Sequence, residues 1–261
     1  MKSTGRNRDD KEGASKAKVL GNREDAAMKA FFKKYRHVWI LSYVFIYLIW
    51  FFYLNQASLD SFHSVYLPFD DLIPFNEWFI IPYYIWFAYV PLVVGYFFFT
   101  SPKDFYHCTA FLFIGMTVCL IFYTIYPTGV YFRPDLDSLN RDNVLIRLTK
   151  VIYTVDVGTN VCPSIHCFNS IGLWISIVKS EKLHNRKGIQ IGSFVLSVLI
   201  CLSTMFVKQH SVIDVIAAMV LAMIMYILVY CIPHSKGKIF KKQNVCYNVE
   251  KTKMRSGQNA V

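Results

Sequence analysis

Long apolar stretches that contain no lysine or arginine dominate this chain of 261 residues and limit what it can fold into. A helix that crosses a lipid bilayer needs about 20 mostly apolar residues. Six stretches approach this requirement, the fourth being shorter than the others: 38–54, 79–99, 109–126, 164–178, 189–207 and 211–232. Hydrophobic residues make up 54% of the chain and the mean hydropathy is +0.34, values typical of membrane proteins. The sequence therefore predicts an all-α integral membrane protein with six transmembrane helices.

The distribution of basic residues predicts the orientation of these helices. Cytoplasmic flanks of membrane helices accumulate Lys and Arg. With the N-terminus inside the cell, 23 of the 28 basic residues fall on the cytoplasmic side. Both termini are therefore predicted to be cytoplasmic, in the plasma membrane if the protein is bacterial. The net charge of +11 reflects this topology, so nucleic-acid binding is not expected.

The composition divides the chain into three regions. Residues 1–36 form a basic tail of mixed charge with little to bury, and this tail is predicted to be disordered. Residues 37–233 form the six-helix membrane domain, which carries the candidate chemistry. Residues 234–261 form a second basic cytoplasmic tail.

A short amphipathic helix is predicted before the fourth membrane helix, over about 143–155. Apolar side chains recur there at helical spacing: Val144, Leu145, Leu148, Val151, Ile152 and Val155. Polar side chains fall on the opposite side: Asn143, Arg147, Lys150 and Thr154. We expect this helix to lie at the outer membrane surface, with Asp142 as its cap.

The segment KQHSVID, residues 208–214, joins the fifth and sixth apolar stretches at the predicted outer face. If the helix begins at or before His210, then His210 and Asp214 share one helical face and Asp214 can bond one imidazole nitrogen. The other nitrogen is then free to attack an electrophile. The alternative is purely structural, because Ser211 and Asp214 also fit a capping box.

The segment CPSIH, residues 162–166, opens the fourth apolar stretch at the same face. A helix that begins below Ser164 presents unpaired amides at its positive end, where a phosphate oxygen can bind. His166, one turn into the helix, is placed to donate a proton to a leaving oxygen. The structural alternative is that Ser164 caps the helix and His166 is a satisfied interfacial residue.

Arg133 adds a guanidinium at the same predicted face, in the segment YFRPDLD. Its planar fork matches the oxygens of a phosphate group. Each of the three segments alone is more often structural than catalytic. Their convergence from three separate connections, at membrane depth, makes a functional site the better interpretation.

The three segments together resemble the ordered signature motifs of the type 2 phosphatidic acid phosphatase superfamily, which also includes vanadium haloperoxidases. The matching residues are Arg133-Pro134, Pro163-Ser164-x-His166 and His210-x-x-x-Asp214. The resemblance implies that His210 is a nucleophile forming a phosphohistidine, Asp214 its orienting partner and His166 the general acid. It also implies that Arg133 and the region of Ser164 hold the phosphate, with no metal or organic cofactor. A zinc site built from Cys162, His166, Cys167 and His210 is a distant alternative.

Three positions depart from the family pattern. Tyr126 stands where the first motif carries lysine, Thr204 where the third motif carries arginine, and Ile165 where the second carries glycine. Lys208 is the one nearby replacement cation, so we include it among the candidate phosphate-binding residues. In these respects the chain is similar to inositol phosphorylceramide synthases, which move a phospholipid headgroup to another lipid.

Three functions follow from these observations. The leading hypothesis is a membrane phosphoesterase that hydrolyses a lipid phosphate or lipid pyrophosphate at the outer leaflet. The second is a lipid phosphotransferase of the same architecture. The third is a non-enzymatic membrane protein on the same fold, because two of the family's cations are missing.

Overall fold

The computed structural model of the protein describes three stretches of the chain: 35–57, 62–139 and 141–232. The predicted tails lie outside these stretches, apart from positions 35 and 36, so their disorder and the region boundaries stay predictions. Among the described residues, the boundary between two units falls between Tyr43 and Val44. All residues of the candidate site belong to the second unit.

Seven α-helices account for most of the described residues. They are α1 (Tyr43–Ala57), α2 (Ile80–Thr100), α3 (Pro102–Ile125), α4 (Val144–Val155), α5 (Ile165–Lys179), α6 (Lys187–Phe206) and α7 (Val212–Tyr226). Shorter helical segments are the 3₁₀ turns Arg36–Ser42, Pro68–Leu72 and Glu77–Phe79, and the π-helical turn Ile227–Cys231 after α7. The prediction of a mostly helical chain is thus confirmed.

Five helical segments of the described chain are long and apolar enough to cross a membrane. They are His37–Ala57, Glu77–Thr100, Pro102–Ile125, Lys187–Phe206 and Val212–Cys231. These spans indicate an integral membrane protein. The sixth predicted span corresponds to α5, which has 15 residues and is shorter than the others. Its role as a span stays a prediction.

Helix α4 forms where the hydrophobic periodicity predicts it, but its cap is not the predicted one. The side chain of Asn143 accepts a hydrogen bond from the amide of Ile146 at 2.9 Å. Asp142 instead pairs with Arg147 of the same helix at 2.8 Å. The prediction of an Asp142 cap was wrong because Asn143 takes the extended backbone conformation that an N-cap needs.

A tight turn separates α2 from α3. Ser101 caps α3 by accepting a hydrogen bond from the amide of Asp104, and Pro102 occupies the first helical position, where its missing N–H costs nothing. Ser180, at the end of α5, donates a hydrogen bond to the carboxylate of Asp104 at 2.7 Å. The α2–α3 turn is therefore fixed to the C-terminal end of α5.

Helix α5 packs against α2, α3, α6 and α7. Its approach to α3 depends on two glycines. A Cβ atom on Gly115 would lie 2.0 Å from the ring of Phe168, and one on Gly172 would lie 2.5 Å from the ring of Phe111. The two rings stack at 5.3 Å between their centroids. Small residues thus allow the two helices to interlock, and α5 brings its N-terminal end to the candidate site.

A short parallel β-pair gathers the connections near this end. Strand β1 (His63–Ser64) pairs with β2 (Thr128–Gly129), in the register His63 to Thr128 and Ser64 to Gly129. Gly129 also forms an antiparallel bridge with Thr159. Three connections are joined here, namely those before α2, between α3 and α4, and between α4 and α5.

Candidate active site

His210 and Asp214 make the contact that their spacing predicts. The Nδ1 atom of His210 lies 3.2 Å from Oδ2 of Asp214, and both side chains are buried. The same Oδ2 accepts a hydrogen bond from the amide of Ser211 at 2.9 Å, and Ser211 caps α7. The capping box and the histidine contact therefore coexist on one carboxylate.

The environment of His210 shifts the pKa of its imidazole in two opposite ways. Burial lowers the pKa of the imidazole, but the hydrogen bond and charge of Asp214 outweigh burial and raise the pKa above its ordinary value. An imidazole that bonds Asp214 through Nδ1 keeps its Nε2 atom for another partner. This is the atom that a phosphorus centre would meet.

The segment 208–212 is anchored by a carboxylate that the sequence analysis did not select. Asp70, in the turn Pro68–Leu72, accepts a hydrogen bond from Ser211 Oγ at 2.6 Å and another from the amide of Val212 at 2.9 Å. It is buried at the N-terminal end of α7, where the helix dipole stabilises a negative charge. Asp70 therefore holds the backbone that carries His210.

Lys208 is also tied to this turn. Its Nζ atom donates a hydrogen bond to the backbone carbonyl of Asp70 at 2.8 Å and lies 5.4 Å from the centroid of the Phe132 ring. Burial lowers the pKa of the Lys208 ammonium. One of its three donor protons thus has a structural acceptor, and a phosphate-binding role for the others stays a prediction.

Ser164 caps α5, as the structural interpretation of CPSIH expects. Its side chain accepts a hydrogen bond from the amide of Cys167 at 3.4 Å, and its own amide donates to the backbone carbonyl of Asp214 at 3.2 Å. Ser164 is completely buried. The cap therefore fastens the start of α5 directly to the start of α7.

His166 lies in a cage of aromatic side chains from α2. The centroid of its ring is 4.7 Å from that of Tyr83 and 4.3 Å from that of Trp86. The His166 and His210 rings are 5.7 Å apart between centroids. The two histidines that the sequence places in separate helical connections thus face each other in space.

Arg133 is held by the segment that follows α4. Its Nη2 atom donates hydrogen bonds to the backbone carbonyl of Asp156, at 2.8 Å, and to Oε1 of Gln209. The guanidinium lies 4.6 Å from the centroid of the Tyr153 ring. Gly158 has a φ of +79°, and a Cβ atom there would lie 2.7 Å from Cζ of Arg133. This glycine leaves the space that the guanidinium occupies.

Two buried donors of the bonded pair Arg133 and Gln209 have no hydrogen-bond partner among the described residues. They are Nε of Arg133 and Nε2 of Gln209. Buried donors without partners cost free energy and are uncommon in folded proteins. Both belong to side chains that are bonded to each other, so the pair is suited to bind the oxygens of an anionic ligand.

Asp156 and Tyr83 complete the connection between Arg133 and the histidines. The Tyr83 hydroxyl donates a hydrogen bond to Oδ2 of Asp156 at 2.9 Å, while the Tyr83 ring packs on His166. Sequence analysis missed both residues. A carboxylate in the short segment between an amphipathic helix and CPSIH was the available clue for Asp156, whereas nothing distinguishes Tyr83 from the other rings of its apolar stretch.

The three departures from the family motifs contribute no cation to the site. Tyr126 is exposed and stacks on His63 with 4.0 Å between centroids. Thr204 is completely buried, and its backbone carbonyl accepts hydrogen bonds from the amides of Gln209 and His210. Ile165 is buried in the first turn of α5.

The distant zinc alternative finds no support in the geometry. Within 35–57, 62–139 and 141–232, no group of three or more His, Cys, Asp or Glu side chains is arranged to hold a metal ion.

Comparison with known proteins gives one match. Residues 131–238 match the family model described as "PAP2 superfamily". This range contains Arg133, His166, His210 and Asp214. No curated protein and no solved structure matches the chain.

Proposed function

We propose, from the match of residues 131–238 to the PAP2 superfamily model, that this membrane protein is a phosphoesterase that hydrolyses a lipid phosphate or lipid pyrophosphate. Phosphatase-type or phosphotransferase-type activity follows from the family, and the five candidate spans place the protein in a membrane. The lipid, the mechanism and the residue roles are our proposals. The observation that carries them is the approach of His166 to His210, together with the unsatisfied donors of Gln209, which precedes His210 in the chain, and of Arg133, which is bonded to Gln209.

The chemistry begins with Nε2 of His210. Its lone pair attacks phosphorus while the bond from phosphorus to the lipid oxygen breaks, and His166 donates a proton to that oxygen. Arg133 binds the oxygens of the transferred group, over which the negative charge is spread in the transition state. Asp214 holds the imidazole in the tautomer that leaves Nε2 free and stabilises the positive charge on the ring.

The second half of the reaction returns the enzyme to its starting state. His166, now neutral, accepts a proton from water as the water oxygen attacks the phosphohistidine. The bond between phosphorus and Nε2 then breaks, and its electron pair returns to His210. The products are the dephosphorylated lipid and phosphate, and His166 is again protonated for the next cycle.

The proposed position of the site in the membrane depends on which helices cross the bilayer. We infer that α5 is the sixth span, since its 15 residues rise roughly 22 Å and the polar cap at Ser164 extends it toward the headgroups. Helix α4 would lie along the outer interface with the exposed Val144, Val151 and Val155 toward lipid. Both termini would be cytoplasmic and the site extracytoplasmic, as the basic residues predict.

A lipid phosphotransferase is the second candidate, and the departures from the motifs favour it. A phosphomonoester carries up to two negative charges and a phosphodiester only one. The positions of Tyr126 and Thr204 supply no cation, so the site is less suited to a doubly charged group. In this reaction His210 carries the phosphate together with its headgroup alcohol, and a lipid hydroxyl replaces water as the acceptor.

The test is turnover by the purified protein in lipid nanodiscs. We expect it to release phosphate from a diacyl lipid phosphate, and His210→Ala to lower the rate by at least about 10⁴-fold, since the nucleophile is lost. His184→Ala is the matched control, because His184 is exposed at the opposite end of α5. A protein that releases no phosphate from lipid phosphates or pyrophosphates would contradict hydrolysis.

Transfer is distinguished by the product. Incubation with a labelled diacyl phospholipid and acceptor lipids would then give a new labelled lipid instead of a soluble product. Failure of both reactions would leave the third hypothesis, a non-enzymatic membrane protein.

A further inference from the structure

Asp156 places a carboxylate beside the proposed phosphate seat. Its backbone carbonyl accepts the hydrogen bond from Arg133 at 2.8 Å, and its Oδ2 accepts the one from Tyr83 at 2.9 Å. The Tyr83 ring in turn contacts His166. Asp156 therefore stands between the group that would bind the phosphate and the group that would protonate the leaving oxygen.

The charge of this carboxylate is not neutralised by a close ion pair. In the part of the chain that the structure describes, the ion pairs within 4.0 Å join other residues: Lys103 with Glu181, Arg141 with Glu77, Arg147 with Asp142, Lys150 with Asp137 and His210 with Asp214. Arg133 donates its hydrogen bond to the backbone carbonyl of Asp156, and its guanidinium interacts with the carboxylate electrostatically without forming an ion pair within 4.0 Å. The Tyr83 hydroxyl is a neutral donor.

The negative charge of Asp156 acts on both imidazoles. Electrostatic interactions join its carboxylate to His166 and to His210. A group that interacts with both histidines also interacts with a phosphorus centre bound between them. As a general guide, a unit charge roughly 10 Å from another, at an effective dielectric constant of about 20, changes a binding or activation equilibrium by about tenfold.

We propose that Asp156 is a specificity-determining residue that favours singly charged phosphate groups over doubly charged ones. The substrate class is then a lipid phosphodiester, or a phosphomonoester in its monoanionic form. Repulsion by Asp156 adds to the absence of cations at Tyr126 and Thr204. This inference rests on the proposed function, since it concerns the same site.

The experiment compares two substrates that release the same product. One is a short-chain diacylglycerol phosphate and the other is its O-methyl ester, whose phosphate carries a single charge. Attack by His210 on either one releases diacylglycerol, which is the measured product. The selectivity ratio is kcat/KM for the monoester divided by kcat/KM for the methyl ester, measured at a pH where the monoester is doubly charged.

We expect Asp156→Asn to raise this ratio by about tenfold, because it removes one negative charge while keeping a side chain of the same shape. Asp156→Glu, which restores the charge, should return the ratio toward the wild-type value. Tyr83→Phe removes the hydrogen bond to Asp156 but no charge, so it should leave the ratio unchanged even if it lowers both rates. Asp142→Asn, at an exposed carboxylate, should change neither rate.

A selectivity ratio of folded Asp156→Asn within twofold of the wild-type ratio overturns the proposal. A selectivity ratio that rises as much in Tyr83→Phe as in Asp156→Asn overturns it too. If Asp156→Asn does not fold, the wild-type ratio decides the matter. A wild-type protein that prefers the doubly charged monoester by more than about tenfold contradicts the inference. A wild-type protein that cleaves neither substrate contradicts the proposed function as well, which separates the two failures.

Discussion

Replacing Gly158 by alanine should lower the activity by displacing the guanidinium of Arg133, which lies against Gly158. The new Cβ would lie 2.7 Å from Cζ of Arg133 and 2.9 Å from its Nε and Nη2 atoms. Carbon atoms in ordinary contact are about 3.5–4.0 Å apart, so the guanidinium must retreat by roughly 1 Å. Such a shift disrupts its hydrogen bonds to the Asp156 carbonyl and to Gln209.

The expected magnitude follows from those contacts. A hydrogen bond to a charged group contributes about 1.5–3 kcal/mol. A misplaced Arg133 should therefore lower kcat/KM by about 10- to 100-fold. Gly158 also has a φ of +79°, and an alanine in that conformation costs about 1–2 kcal/mol. We expect a lower melting temperature in addition to the loss of activity.

A double-mutant cycle separates the two effects. We would measure kcat/KM for Gly158→Ala, Arg133→Ala and the double variant in nanodiscs, together with their melting temperatures. If Gly158 acts through Arg133, the double variant should be no less active than Arg133→Ala, within about threefold. Full activity in Gly158→Ala, or losses that multiply in the double variant, would refute this reasoning.

Three further predictions concern the backbone and charges around the site. Asp214→Asn removes the charge that raises the pKa of His210, so the acidic limb of the pH profile of kcat/KM should move to lower pH. The maximum of kcat/KM should fall by about 10²- to 10⁴-fold. An unshifted limb would contradict the assignment of that limb to His210. Asp70→Asn weakens two buried hydrogen bonds and removes a favourable charge at the N-terminus of α7. It should destabilise the protein by about 2–3 kcal/mol in a thermal unfolding assay in detergent. An unchanged unfolding midpoint would count against Asp70 as the anchor of segment 208–212. Gly115→Ala should lower the free energy of unfolding by about 1–3 kcal/mol, because it overpacks the contact between α3 and α5. The control is Gly192→Ala, whose new Cβ would meet no atom within 4 Å, and its effect should be neutral or slightly stabilising. Equal unfolding midpoints for the two variants would contradict the packing argument.

The sequence predicted local geometry well where spacing alone decides it. The spacing of four between His210 and Asp214 predicted their contact correctly, although α7 begins at Val212 and not at or before His210 as that prediction required. Spacing was thus a correct guide to this contact. The same holds for α4, whose apolar residues repeat at helical spacing. The approach of His166 to His210 was expected only because the topology put both at one face, and the structure places their centroids 5.7 Å apart.

Contacts between distant parts of the chain were not predictable in this way. Asp70 lies 141 positions before Ser211, and Tyr83 lies 73 positions before Asp156. No spacing rule links such residues, and a polar residue in an aromatic loop has many possible partners. The contact of the Lys208 ammonium with the Asp70 carbonyl is another long-range contact that the sequence did not predict, and the phosphate-binding role of Lys208 stays a prediction.

Helix ends were missed where polar residues begin an apolar helix. The apolar stretch 109–126 predicted the third helix, but α3 begins at Pro102, seven residues earlier. Ser101 and Pro102 favour a helix start through capping and a fixed φ, and hydropathy does not register either effect. The Asn143 cap of α4 belongs to the same class, since the choice between neighbouring cap residues depends on the local backbone.

The covalent intermediate is the most direct test of the proposed mechanism. The protein would be mixed with a lipid phosphate labelled at phosphorus and quenched in base within one turnover, because a phosphohistidine survives base and is lost in acid. Peptide mapping should find the label on His210, with the phosphorus on Nε2, and no label in His210→Ala. Turnover without a labelled protein, or a label on any other residue, would contradict the assignment of His210 as the nucleophile.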